Sequence, residues 1–214
     1  MKPRKRPVLL VSSAVYGFEE LLDRLYAILD GLGYEVWMSH KGTVPVDPAV
    51  TALESCRKAV AACDLFLGII LPRYGSGKEK PGDESITHEE LRHAIHLKKP
   101  RWILAHDHVV FARGLLNNLE FDTPAKRAAL PLKKSALLED LRVIDMYELA
   151  TRHDIELLKD RDGNWVQTFT SDEDALLFAT SQFRRYQEAE AFVSEALGNA
   201  ADLEKALKRQ GGKS

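Results

Sequence analysis

Only two cysteines, Cys56 and Cys63, occur in 214 residues. That is too few for the disulfide framework of a small secreted domain, and both read as buried thiols of a cytosolic protein. No apolar run approaches the roughly 20 residues a membrane span requires. Charge of one sign is missing as well: 30 Lys and Arg against 32 Asp and Glu leave a net charge of −2. Such a balance gives no global field for capturing nucleic acid or an anionic membrane, so neither is expected as a partner. The familiar phosphate signatures are absent too. No Gly-x-Gly-x-x-Gly follows the first strand and no Gly-x4-Gly-Lys-Ser/Thr loop exists, which removes Rossmann dinucleotide and P-loop chemistry on their own motifs. A Gly-x-Ser-x-Gly nucleophile elbow is lacking, and no repeat or low-complexity tract interrupts the chain.

What is present is an ordinary globular composition, 45% hydrophobic and 29% charged, sized for one domain or one domain with an extension. The basic residues Lys2, Arg4, Lys5 and Arg6 precede the apolar run Val8–Val11, which breaks at Ser12-Ser13 before it reaches signal-peptide length. Residues 1–7 therefore read as a basic tail feeding a buried strand. An α/β domain is expected over 8–150, with a hairpin and a helical C-terminal extension over 151–210.

Strand and helix signals alternate through the first half. Short apolar runs at 8–12, 34–38, 64–71 and 101–105 are strands, the third being the strongest. Helices are expected from Gly17 to Leu29, from Asp47-Pro48 (cap and first residue) to Ala62, and from a Ser85 cap through Leu97. This order implies right-handed crossovers and a parallel sheet with helices on both faces. Later signals are weaker. Val109 to Leu119 looks helical, Thr123 to Asp140 is a charged helix or loop, and Leu141–Ile144 suggests a further strand. Asp162-Gly163 before Trp165–Phe169 suggests a hairpin edge. Phe183, Tyr186, Ala189, Phe192, Val193 and Leu197 form a helical apolar stripe, read first as packing on the main domain and otherwise as a dimer face.

Parallel sheets bind ligands beyond the carboxyl ends of their strands. Ser12, Ser13 and Tyr16 follow the first strand, and the loop Pro72–Glu84, with Tyr74, follows the third. Helix starts near Gly17 and Ser85 would aim backbone N–H groups there, which favours an anionic ligand such as a phosphate. Four acids, Asp83, Glu84, Glu89 and Glu90, surround the second of these starts. Glu90 shares a helix face with Ala94 and Leu97, so it belongs on the packed side, where desolvation raises a carboxyl pKa unless a cation pairs with it. A metal site is not expected. His88 and His93 lie about 140° apart on a helix, and His93 with His96 lacks a third ligand.

The set Cys63–Ile70, Tyr74-Gly75-Ser76, Ser85-Ile86-Thr87-x-x-Glu90-x-x-x-Ala94 and Lys98-Lys99-Pro100, with Val11-Ser12-Ser13 ahead of it, resembles an uncharacterised TIR-like family. Members are found in bacterial and eukaryotic defence and signalling proteins, and the likeness covers roughly residues 7 to 106. The layout is also similar to nucleoside 2-deoxyribosyltransferases and to TIR NAD-cleaving domains. That resemblance implies a flavodoxin-like (TIR-like) fold, a cytoplasmic setting, and a homo-oligomer or partner defence protein. It carries a catalytic glutamate acting at C1′ of a ribosyl group onto Glu90, with Asp83 as a loose match to a second acid. The deoxyribosyltransferase pattern has Gly-Thr where this chain has Ile86-Thr87. Ser12, Ser13 and Ser85 are then candidates for holding phosphate or ribose hydroxyls, and Tyr16 or Tyr74 for stacking on the base. The expected activity is cleavage of a nucleotide N-glycosidic bond, with NAD as substrate and no separate cofactor. The alternatives are a non-catalytic signalling or nucleotide-sensing module and a nucleoside deoxyribosyltransferase.

Overall fold

The computed structural model describes residues 6–77, 83–133 and 137–188. Four strands come first, β1 (Val8–Ser13), β2 (Glu35–Met38), β3 (Leu65–Ile70) and β4 (Arg101–His106), separated by helices α1 (Glu19–Gly31), α2 (Ala52–Ala62) and α3 (Ile86–His96). Then α4 (Asp107–Asn118), α5 (Pro124–Ala128) and α6 (Arg142–Ala150) precede β5 (Val166–Phe169), and a last helix, α7, runs over 172–188. The five strands form one sheet in the order β2-β1-β3-β4-β5, and every pairing is parallel. This is the flavodoxin-like order, whose ligand crevice lies where the winding reverses, between β1 and β3.

Both faces of the sheet are covered, which explains why all six residues of β3 are buried and why the strand shows no polar alternation. On one face, Leu21, Leu22, Leu25 and Leu29 of α1 meet Leu9, Val11, Leu67 and Leu104, and α7 adds Ala175, Leu176, Ala179 and Phe183. The Tyr34 hydroxyl donates to the Phe183 carbonyl at 2.7 Å. On the other face, Val8, Leu10, Phe66 and Ile70 meet Ala59 and Val60 of α2, Leu91 and Ala94 of α3, and Val143, Ile144, Met146 and Ala150 of α6. Among the described residues no helix is long and apolar enough to cross a membrane.

Several local expectations are corrected. The second helix is capped by Thr51, whose hydroxyl accepts the Glu54 N–H at 3.2 Å, so the Thr-x-x-Glu start prevails over Asp47-Pro48. Asp47 instead closes a turn onto the Ala49 N–H and pairs with Lys58 at 2.8 Å. Leu141–Ile144 is not a strand: Val143, Ile144, Met146 and Ala150 are buried at helical spacing in α6. No hairpin forms at Asp162-Gly163. The turn is real, with Gly163 at φ +65°, but the strand after it crosses over to lie parallel to β4. β5 and α7 thus pack into the sheet and its core. Of the C-terminal stripe, Phe183 is buried and Tyr186 packs on the core. Ala189, Phe192, Val193 and Leu197 lie outside the described residues, as do 78–82 of the long loop.

Candidate functional site

β1 delivers two serines to its carboxyl end, and the pleat sends them to opposite faces. Ser12 follows Val8 and Leu10 onto the α3 face, where it is 2% exposed. Its register partner on β3 is Gly68. A Cβ at Gly68 would stand 2.9 Å from Ile103 Cδ1 and 3.1 Å from Phe66 Cε1, so glycine is what lets neighbouring side chains and α3 settle closely there. α3 is started by Ser85, which is fully buried and accepts the His88 N–H at 3.3 Å. One turn later Glu90 meets β1: the Ser12 hydroxyl donates to Glu90 Oε2 at 2.5 Å. From α2 the Cys56 thiol makes a second hydrogen bond to the same carboxylate. Three elements distant in sequence therefore converge on one acid.

The electrostatics of Glu90 set it apart from its neighbours. Glu89 pairs with Arg57 at 3.0 Å and Glu84 with Arg92 through Nε at 3.1 Å. Among the described residues no lysine, arginine or histidine pairs with Glu90. Burial pushes its carboxyl pKa above the ordinary value, and the hydrogen bonds from Ser12 and Cys56 offset only part of this. Cys56 responds in turn: burial, then the Glu90 charge and hydrogen bond, push the thiol up to about 12.

The other candidates divide. Ser13 faces away and donates to the Ala14 carbonyl at 2.8 Å. Tyr16 is 76% exposed at the mouth of the β1 loop, with the Arg73 guanidinium 5.6 Å over its ring. Tyr74 is buried, not a free stacking platform. Its hydroxyl lies 2.8 Å from His88 Nδ1, and Arg142 covers its ring at 4.3 Å. Ser85 is committed to its cap. Asp83 is exposed, with its carbonyl accepting from Arg142 at 2.9 Å, and lies outside the group around Glu90. The grooves described run elsewhere, two along β5 and α7 and one between α5 and α6.

A model of one family, described as a domain of unknown function (DUF4062), matches residues 9–119, just over half of the chain. The chain belongs to the DUF4062 family. No curated protein and no solved structure matches it. The matched segment begins in β1 and ends after α4, so Ser12, Cys56 and Glu90 all fall within the DUF4062 region, whereas α5, α6, β5 and α7 lie beyond it.

One cluster was missed by sequence reasoning. At the end of β4, His106, Asp107 and His108 hold ligand-type atoms within 4.8 Å of one another. Burial, and then the neighbouring His108, lower the pKa of His106. The signal lies in His-Asp-His directly after an apolar strand, at the carboxyl edge of the sheet where ligands bind; helical His spacing does not show it.

Proposed function

We propose that this DUF4062 protein is a TIR-like enzyme that cleaves or transfers at the N-glycosidic bond of a nucleotide, with NAD as substrate and Glu90 as the catalytic carboxylate. The observation that supports this reading is the state of Glu90: half-buried, without a cationic partner among the described residues, and fixed by Ser12 at the carboxyl end of β1, the end at which ligands bind in sheets of this winding. Departure of the base from C1′ develops oxocarbenium character, which an adjacent carboxylate stabilises or captures. A salt bridge would spend the charge on a neighbouring side chain; hydrogen bonds from a hydroxyl and a thiol orient the carboxylate while leaving that charge for the reacting carbon. Ser12 is then a positioning residue, and the exposed Tyr16 ring stands at the mouth of the β1 loop where a base could stack.

The test is release of nicotinamide from NAD, followed across protein concentration so that any assembly requirement is met. Glu90→Gln keeps the shape and an acceptor for Ser12, and is expected to lower turnover by about 10²–10³-fold, the size of losing one preorganised electrostatic group. Absence of turnover of NAD and of nucleosides at every concentration, or full activity in Glu90→Gln, overturns the reading. A second reading, a non-catalytic assembly module, has one observation of its own. Phe111, Leu115 and Leu119 are exposed by 72, 48 and 56% on one face of α4 and its C-cap. An inactive protein that self-associates through those residues would favour it.

A further inference from the structure

We propose that His106, Asp107 and His108 form a binding site for one divalent transition-metal ion, on the opposite side of the sheet from Glu90. The site rests on how the three side chains face one another. Their ligand atoms lie within 4.8 Å of one another, and the set of two imidazoles and one carboxylate is a transition-metal donor set. His106 Nδ1 accepts the backbone N–H of His108 at 3.2 Å, so in this tautomer it carries a lone pair, not a proton. Asp107 Oδ1 stands 2.8 Å from that nitrogen. The same oxygen is shut off from solvent and takes no hydrogen bond from any other group, so its one close neighbour is the imidazole nitrogen. That nitrogen and oxygen can share a proton or a cation; either takes the lone pair that caps the His108 N–H, and the cation alone also draws in His108, the third member of the group.

The identity of the ion follows from the donors. Two imidazoles argue against Mg²⁺ and Ca²⁺, which take oxygen ligands, and the absence of a thiolate from the group argues against the softest ions. With metal–ligand bonds of about 2.1 Å, a 2.8 Å separation subtends about 85°, nearer the 90° of an octahedral site than a tetrahedral angle. Zn²⁺, Co²⁺ and Ni²⁺ fit, with the remaining positions left for water or an anionic group of a ligand. The ring of His106 is held in place by Phe18 at 5.9 Å and Phe169 at 5.2 Å, both in the cluster on the α1 face, so little ordering remains to be done on binding. The N-terminus of α4 opposes a cation here. The charge of Asp107, with that of Asp172 close enough to act on His106, offsets it.

The experiment uses the full, tag-free chain, stripped with chelator and titrated with Co²⁺ by visible absorption and with Zn²⁺ by competition against a chromogenic chelator. One equivalent per chain is expected. Asp107→Asn and His108→Ala, both at partly exposed positions, are each expected to weaken binding tenfold or more, whereas His96→Ala changes nothing. His106→Gln joins the set if circular dichroism shows it folded; otherwise the first two variants decide. Binding below one equivalent, undiminished affinity in Asp107→Asn and His108→Ala, or equal loss in His96→Ala overturns the site. None of these readouts involves NAD turnover, so the fate of the Glu90 reading is separate.

Discussion

Two charges, one buried and one half-buried, lie on the same face of the sheet and are treated in opposite ways. Arg127, on α5, is 2% exposed. Its guanidinium donates to Asp145 at 2.6 Å and to Glu148 at 2.7 Å, and Glu148 also takes Arg113 at 2.9 Å. Burial alone would lower the Arg127 pKa, but the hydrogen bonds to Asp145 and Glu148 more than reverse this and raise it. Among the described residues Glu90 has no counter-charge: burial outweighs the hydrogen bonds from Ser12 and Cys56, and its pKa rises. A charge surrounded by counter-charges holds helices together. A charge left without one makes the fold less stable and is kept where chemistry needs it. α5 and α6 lie beyond the region matched by the family model and Glu90 within it.

The largest effect that can separate the two is on stability. Arg127→Ala strands Asp145 and Glu148 in a half-buried site, and breaking a buried pair by removing one partner costs about 3–5 kcal/mol. For a chain of this size that lowers Tm by on the order of 10 °C. Activity per folded molecule, measured at a temperature where the variant remains folded, should be unchanged. A Tm within about 2 °C of the parent would show that the Arg127 cluster does not differ from an exposed ion pair.

Glu90→Gln is expected to move stability the other way, by about 1 kcal/mol. An unfolded Glu90 titrates near the ordinary carboxyl value, 4.5, and the folded one above it. Between the two values the folded state binds more protons than the unfolded, so stability falls as pH rises through that window. Below it the penalty is absent. Thermal melts should therefore show Glu90→Gln more stable than the parent at pH 7, with the gain disappearing as pH falls toward 4. A variant that is less stable at pH 7 would place Glu90 among the structural charges, with Arg127. Turnover should show the mirror image, rising with pH as the carboxylate ionises.

How far this contrast was readable in the sequence depends on range. β3 and the Ser85 start of α3 were legible because a continuous apolar run and a serine cap are local signals. The packed side of Glu90 followed from its spacing to Ala94, which is fully buried. The group around it was not legible. Ser12 lies 78 residues away in the chain, and Cys56 read only as a buried thiol, because nothing local shows which helices will be neighbours. The start of α6 reads as a strand because Leu-Arg-Val-Ile looks extended until Met146 and Ala150 extend its buried stripe. β5 reads as a hairpin edge because its partner, β4, is more than 50 residues earlier; the turn residues are local and the pairing is not. Likewise the three acids paired with arginine or left alone around α3 look identical in sequence, and only the position of Arg57 and Arg92 distinguishes them.

The smallest expected effect probes the unpaired charge through its neighbour. Cys56 is only half-buried, yet its thiol is pushed up to about 12, by burial first and then by the charge and hydrogen bond of Glu90. Since the thiolate is the nucleophile, alkylation at pH 8.5 should be slow in the folded protein despite the partial exposure. Replacing Glu90 by Gln removes the charge while leaving the burial, so the rate should rise by about an order of magnitude. The comparison is made in a Cys63→Ser background so that one thiol is followed. An Arg127→Ala variant assayed below its melting temperature is the control, because Arg127 pairs with Asp145 and Glu148 and not with Glu90. If the rate is unchanged in Glu90→Gln, the carboxylate is not ionised beside Cys56. The contrast between a compensated and an uncompensated charge then fails at its own site, whatever the turnover assay returns.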